Sequence, residues 1–136
     1  MTAEEARRRL AAARVARLAT VSAGGRPHLV PVTFAADGDL VYTAVDAKPK
    51  TTTRLQRLSN IGGNHRVAVL ADSYDEDWSA LWWVRADGEA AILDDPAAMA
   101  EPVRLLAGRY PQYRDSPPGG PVIAIRVDRW TGWSAR

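Results

Sequence analysis

The sequence predicts a mainly β (α+β) fold, an antiparallel sheet closed into a barrel with a few short helices. Three observations lead there. Short runs rich in β-branched residues are separated by glycine and aspartate turns. The first runs follow one another directly, so the chain is not laid out as alternating strand–helix units. Helical spacing is confined to a few brief stretches. The 136 residues fit one domain, residues 1–136, large enough to bury a core without staples.

Thr2 opens a capping box with Glu5 three residues on. Ala3, Ala6, Leu10 and Ala13 then recur at helical spacing, which predicts a helix over 3–14 covering one end of the fold. Arg17 to Val21 reads as a strand, Ala23-Gly24-Gly25 as a turn and His28 to Phe34 as a second strand. Pro31 lies inside that strand. The stretch must therefore be an edge, a bulge, or a place where backbone groups face something other than a strand. Asp37-Gly38-Asp39 turns the chain into a third strand, Leu40 to Val45, and the three strands read as a meander.

A loop, Lys48-Pro49-Lys50-Thr51, leads to a helix over about 53–60, capped by a threonine and ended by Gly62, Gly63 and Asn64. Arg66 to Ala71 is a strand, Asp72 to Asp77 an acidic loop, and Leu81 to Leu93 one or two strands bent near Asp87-Gly88. Asp95-Pro96 starts a helix that Pro102 should kink or divide. Residues 111–121, rich in proline and glycine, read as a loop, and Val122 to Val127 as the last strand.

Composition removes whole classes of function. The absence of cysteine excludes disulfides, thiolate metal sites and cysteine nucleophiles, and suits a cytoplasmic protein. The opening MTAEEARRRL lacks the apolar core of a signal peptide and no apolar run nears ~18 residues, so a soluble protein not exported by a standard route is expected. A net charge of +2, spread along the chain, does not build a nucleic-acid face. The two histidines, His28 and His65, have no carboxylate at ligand spacing, so no metal site is expected. There is no nucleophile elbow, no dinucleotide fingerprint and no acid–base pair, so any chemistry falls to a cofactor.

Three features remain as candidate sites. Lys48, Lys50 and the hydroxyls from Thr51 to Thr53 precede a helix start, where unpaired N–H groups favour an anion. The same pattern also describes a solvated loop with a threonine cap. The strand His28 to Thr33 carries a proline that leaves backbone groups free for the edge of a flat ring, or that merely shields a sheet edge. The five tryptophans, against one phenylalanine, call for a core, an interface or a ring-shaped ligand. Trp82 and Trp83 are adjacent, so in a strand they face opposite sides.

In order along the chain, Arg17-Leu18-Ala19-Thr20-Val21, Gly25-Arg26-Pro27-His28 and Pro31-Val32-Thr33-Phe34 resemble the opening of the pyridoxamine-phosphate-oxidase-like split-barrel proteins. Lys48-Pro49-Lys50-Thr51, Asn64 to Leu70, Trp78 and Arg85 to Ala90 continue the match over nearly the whole chain. It is most similar to the F420-dependent oxidoreductase branch, FDOR-B, found mainly in actinobacteria. The resemblance implies a split β-barrel and a homodimer with two cofactor sites at the subunit interface. It implies that Pro31, Val32 and Thr33 lie along the cofactor ring. By the same match Lys48, Pro49, Lys50 and Thr51 hold the phosphate, and Trp78 reaches the site from the partner subunit. The expected cofactor is coenzyme F420, with FMN as the alternative. The expected activity is hydride transfer between reduced F420 and an electron-poor small molecule. An FMN-dependent oxidase and a non-catalytic cofactor-binding protein are the rivals.

Two departures bear on that choice. The FMN-dependent oxidases carry basic residues on the second strand, and Leu29 to Phe34 has none. They also end on an Arg-x-His motif, where this chain reads Trp130-Thr131-Gly132-Trp133. Arg54 and Arg57 share a helical face and could attract the acidic tail of F420, or be merely solvated.

Overall fold

The structure, a computed structural model, describes residues 1–45 and 52–136, and of residues 52–55 the backbone only. The elements in chain order are α1 (Ala3–Ala12), β1 (Ala16–Val21), β2 (Pro27–Val32), β3 (Ala35–Asp37), β4 (Leu40–Ala44) and α2 (Thr52–Gly63). There follow β5 (Arg66–Ser73), a single 3-10 turn (Trp78–Ala80), β6 (Trp82–Leu93), α3 (Pro96–Arg109), α4 (Pro111–Asp115) and β7 (Val122–Ser134). The strands form one seven-stranded antiparallel sheet in the order β2-β1-β5-β6-β7-β4-β3.

Chain connectivity forces that sheet to curl. Only Thr33 and Phe34 separate β2 at one edge from β3 at the other. Three Cα–Cα steps span at most ~11 Å. The outer strands of a flat seven-stranded sheet would stand ~29 Å apart at ~4.8 Å per strand. The two edges must therefore meet at this corner, which makes the sheet a split half-barrel. Phe34, Leu10, Leu18, Ile61, Ile123, Ile125, Val41, Val69 and Val84 fill its inside, each under 2 % exposed. α1 closes one end by burying Ala6 and Leu10. Its capping box is half present: the Thr2 hydroxyl accepts the Glu5 N–H at 3.1 Å, while the Glu5 carboxylate pairs with Arg8 and Arg9.

The register shows why Pro27 and Pro31 are tolerated. Ser22 N–H donates to Arg26 C=O at 2.9 Å and closes the β1–β2 hairpin, with Gly25 at φ 85° in the left-handed region its turn requires. Rungs alternate from there, so 20↔28, 18↔30 and 16↔32 are hydrogen-bonded pairs. Pro27 and Pro31 fall on the other rungs, where a strand N–H points away from β1. The missing donors therefore cost no ladder bond, and β2 is an edge strand.

β6 and β7 are the long strands of the sheet, and the register between them shifts at Asp87/Gly88. The bulge divides the sheet into two halves. Trp82 to Asp87 runs between β5 and the end of β7; the rest of β6 runs with the start of β7, which β4 flanks. Gly88 sits where β7 passes closest. An added Cβ would lie 2.9 Å from Arg126 C and 3.0 Å from Val127 Cα, and closer still to the Arg126 carbonyl oxygen.

Several sequence expectations are corrected. The first three strands are not a meander, because β4 pairs with β7 instead of β2. The second strand breaks at Thr33–Phe34 and resumes as β3. α1 ends at Ala12, where Ala13 N–H caps Leu10 C=O. α2 runs through Gly62 and Gly63 and stops at Asn64, whose N–H reaches Asn60 C=O at 2.8 Å. Asp72 belongs to β5, paired with Trp83, and not to the acidic loop. Pro102 does not divide α3; it is buried, and that packing offsets the hydrogen bond its ring removes. Part of the expected loop at 111–121 is α4, with Pro111 at its first position. β7 continues past Val127 to Ser134 because β6 offers partners along that whole length.

Candidate functional site

The corner where the sheet edges meet is held by side chains from α3 and α4. The Tyr110 hydroxyl accepts from Phe34 N–H at 3.1 Å and has the carbonyls of Phe34 and Arg14 within 3.0 and 2.8 Å. Arg109 reaches Ala11 C=O at 2.8 Å and Ala13 C=O, and its guanidinium stacks 5.0 Å from the centre of the Phe34 ring. The Tyr113 and Thr33 hydroxyls are 3.1 Å apart, and the Thr43 hydroxyl donates to Thr33 C=O at 2.7 Å. Thr33 thus has its hydroxyl and carbonyl occupied, while its N–H has no partner among the described residues.

Tyr110→Phe removes a hydroxyl that serves one donor and one of two acceptors, and strands Phe34 N–H. We expect it to lower stability by roughly 1–3 kcal/mol. Denaturant unfolding checks this, with Tyr113→Phe, which loses only the Thr33 hydroxyl contact, as the milder comparison.

Backbone outward from β2 completes the edge. Leu29 and Pro31 face away from β1 in their hydrogen-bonding direction, and Leu29 is 68 % exposed. His28 lies across the ladder from Thr20, whose hydroxyl accepts from the Asn60 side chain of α2 at 3.0 Å. The His28 Nδ1 is buried without a hydrogen-bond partner. The described residues therefore present an open strand edge and a fixed Thr33, with a buried, unpartnered His28 Nδ1 on the same strand. An acceptor at Pro31 C=O followed by a donor at Thr33 N–H matches a flat heterocycle whose edge carries N–H and C=O. The chemistry of these groups fits a ring-shaped cofactor.

Of the residues the sequence singles out, Pro31, Val32 and Thr33 come together at this corner. Trp78 does not join them within one chain: it stands 70 % exposed in the 3-10 turn, and no hydrogen bond or ring contact ties it to the corner. Lys48, Pro49, Lys50 and Thr51, with the expected threonine cap, lie outside the described residues. Tyr110 and Tyr113 escape the sequence reading. Their signal is the spacing Tyr110-Pro111-x-Tyr113, two phenols one helical turn apart around an N1 proline. Among the described residues no group of three or more His, Asp or Glu could hold a metal, and no helix is long and apolar enough to cross a membrane.

The outer face of the sheet on the β5 side of the bulge carries a second group of residues. Pro31, Arg17, Leu70, Arg85 and Thr131 stand in one cross-strand row, and Asp72, Trp83 and Trp133 in the next. Leu70 is 37 % and Trp133 48 % exposed. Trp82 faces the other way, packs on the core and takes Arg9 over its ring at 5.4 Å. Trp130 donates to Asp39 at 2.9 Å, and Arg7 pairs with the same carboxylate at 3.0 Å. The Trp130 bond, then Arg7, hold the Asp39 carboxyl below the usual carboxylate range.

This architecture is that of the split-barrel proteins. A conserved hypothetical protein of Mycobacterium tuberculosis superposes with a TM-score of 0.81 at 23% identity, over 100% of this chain and 86% of that one. An FAD-binding protein of Mesorhizobium loti gives 0.74 at 21% identity, over 97% and 94%. The heme storage protein HutZ of Vibrio cholerae gives 0.72 at 14% identity, over 96% and 90%. No curated protein matches the sequence. The sequence profile of the pyridoxamine 5'-phosphate oxidase family matches residues 2–134, and the chain belongs to that family.

Proposed function

We propose that this chain is an F420-dependent reductase that works as a homodimer, with a cofactor at each of two sites shared between subunits. The observation that carries this reading is the uncharged edge of β2. From Leu29 to Phe34 there is no lysine or arginine to grip the phosphate of FMN. Phosphate binding then falls to Lys48, Lys50 and Thr51 ahead of α2, where helix N–H groups and lysine charge act together. Arg54 and Arg57 follow on the same helix and favour an acidic tail, which F420 has and FMN lacks.

When bound, the deazaflavin supplies the hydride. The residues of the chain do the rest. Pro31 C=O and Thr33 N–H orient the ring through its N–H and C=O edge. The tyrosine clamp keeps Thr33 from turning. The partner subunit's Trp78 covers the ring and excludes water. Leu70, Trp83 and Trp133, set in two adjacent rows among Arg17, Asp72 and Arg85, bury themselves against their two-fold copies, in an interface of more than ~2,000 Å² typical of obligate dimers. FAD binding by the Mesorhizobium relative agrees with a ring cofactor on this fold.

Lys50→Ala tests the anchoring. It removes a charge-assisted contact, so F420 affinity should fall at least ~tenfold by fluorescence titration. An unchanged affinity would remove Lys50 from the site.

A further inference from the structure

A groove of about 790 Å³ lies on the other half of the sheet, beyond the Gly88 bulge, between the last turn of α2 and the strands β6, β7 and β4. That volume is in the range of small-molecule sites. Its floor is made of small side chains: Ala91 and Ala124 are cross-strand partners that face outward, while the neighbouring Ala90 faces the core. Leu40 and Ile92 form apolar walls. The edge of β6 is open here, because β5 ends opposite Glu89 and the last bond on that side runs from Ala90 N–H to His65 C=O at 2.8 Å. By strand alternation the N–H of Ile92 points the same way, along the groove.

The charges at the mouth are unequally used. Arg66 stands 3.9 Å from Glu89 and 3.3 Å from Asp128, and so occupies both carboxylates. Arg126 is exposed at the groove, opposite Leu40 in one ladder and Glu89 in the other, and makes no ion pair or side-chain hydrogen bond among the described residues. None of these residues belongs to the Thr33 corner or to the tryptophan row. We infer that this groove is a separate binding site for an amphipathic organic anion, its apolar body on the alanine floor and its carboxylate or sulfonate on Arg126.

The test is titration of the whole protein with 8-anilinonaphthalene-1-sulfonate, with and without saturating F420. Saturable binding unaffected by F420 is expected. Arg126→Gln should weaken it at least ~tenfold, the loss of one charge-assisted contact. Ala124→Phe, which fills the floor from an outward position, should abolish it. Glu89→Gln should tighten it, because a negative charge at the mouth of the groove is gone. The uncharged N-phenyl-1-naphthylamine should not distinguish Arg126→Gln from the parent. Equal sulfonate binding by the parent, Arg126→Gln and Ala124→Phe, each with an unchanged unfolding transition, overturns the assignment, as does displacement of the probe by F420. The result is independent of which cofactor the Thr33 corner takes.

Discussion

Gly88→Ala is expected to destabilise the protein by about 3 kcal/mol or more, at the upper end of overpacking penalties. The new methyl group would meet backbone, not a side chain that can turn away: Arg126 C lies at 2.9 Å and Val127 Cα at 3.0 Å. Relief requires β6 and β7 to separate at the bulge that lets the two halves of the sheet diverge. Both the half that carries the tryptophan row and the half that carries β4 depend on that junction. A fall of roughly ten degrees in the thermal midpoint is expected for a chain of this size. Gly62→Ala provides the comparison, because a Cβ there meets nothing within 4 Å and the site is helical. A stable Gly88→Ala protein would mean that the close β6–β7 approach is not needed.

For the proposed dimer, Trp83→Glu is expected to give a monomer at micromolar concentration and to remove cofactor binding with it. Trp83 stands between Trp133 and Asp72, which pairs with Arg17 at 3.1 Å, so the substitution replaces an indole by a carboxylate on this face. A buried interfacial tryptophan contributes ~2–4 kcal/mol, and the substitution also removes the ring that the Arg85 guanidinium overlies at 5.9 Å and puts a charge that must be desolvated in its place. The side chain is on the outer face, away from the core cluster, so the monomer should remain folded. Sedimentation and circular dichroism separate these outcomes. A folded Trp83→Glu dimer would place the interface elsewhere. A folded monomer that still binds cofactor tightly would contradict a site shared between subunits.

The local parts of this fold are legible in the sequence because they depend on neighbours in the chain. The hairpin turn at Gly25, the edge position implied by Pro31, the bend near Asp87-Gly88 and the Asp95 cap all follow from residues within a few positions. What escapes is long-range. Nothing local says that β4 pairs with β7, which lies some eighty residues away, or that β7 continues to Ser134 because β6 is there to receive it. Pro102 misleads because burial decides its outcome, and burial is a tertiary property. The candidate site divides the same way. The strand His28 to Thr33 can be picked out because a proline inside a strand is visible in one dimension, and the family resemblance narrows it to Pro31, Val32 and Thr33. Tyr110 and Tyr113 cannot, because they act about eighty residues from Thr33 and Phe34, from a segment whose prolines suggest a featureless loop.

A paired titration tests the choice of F420 over flavin most directly. Purified protein, stripped of ligand, is titrated with F420 and with FMN in one buffer, by fluorescence or calorimetry, at low and high salt. F420 should bind the tighter of the two. Its affinity should fall as salt rises, because contacts to the exposed acidic tail are screened within about 10 Å at 0.1 M. Tighter binding of FMN would contradict the account and give the site to a flavin-dependent oxidase.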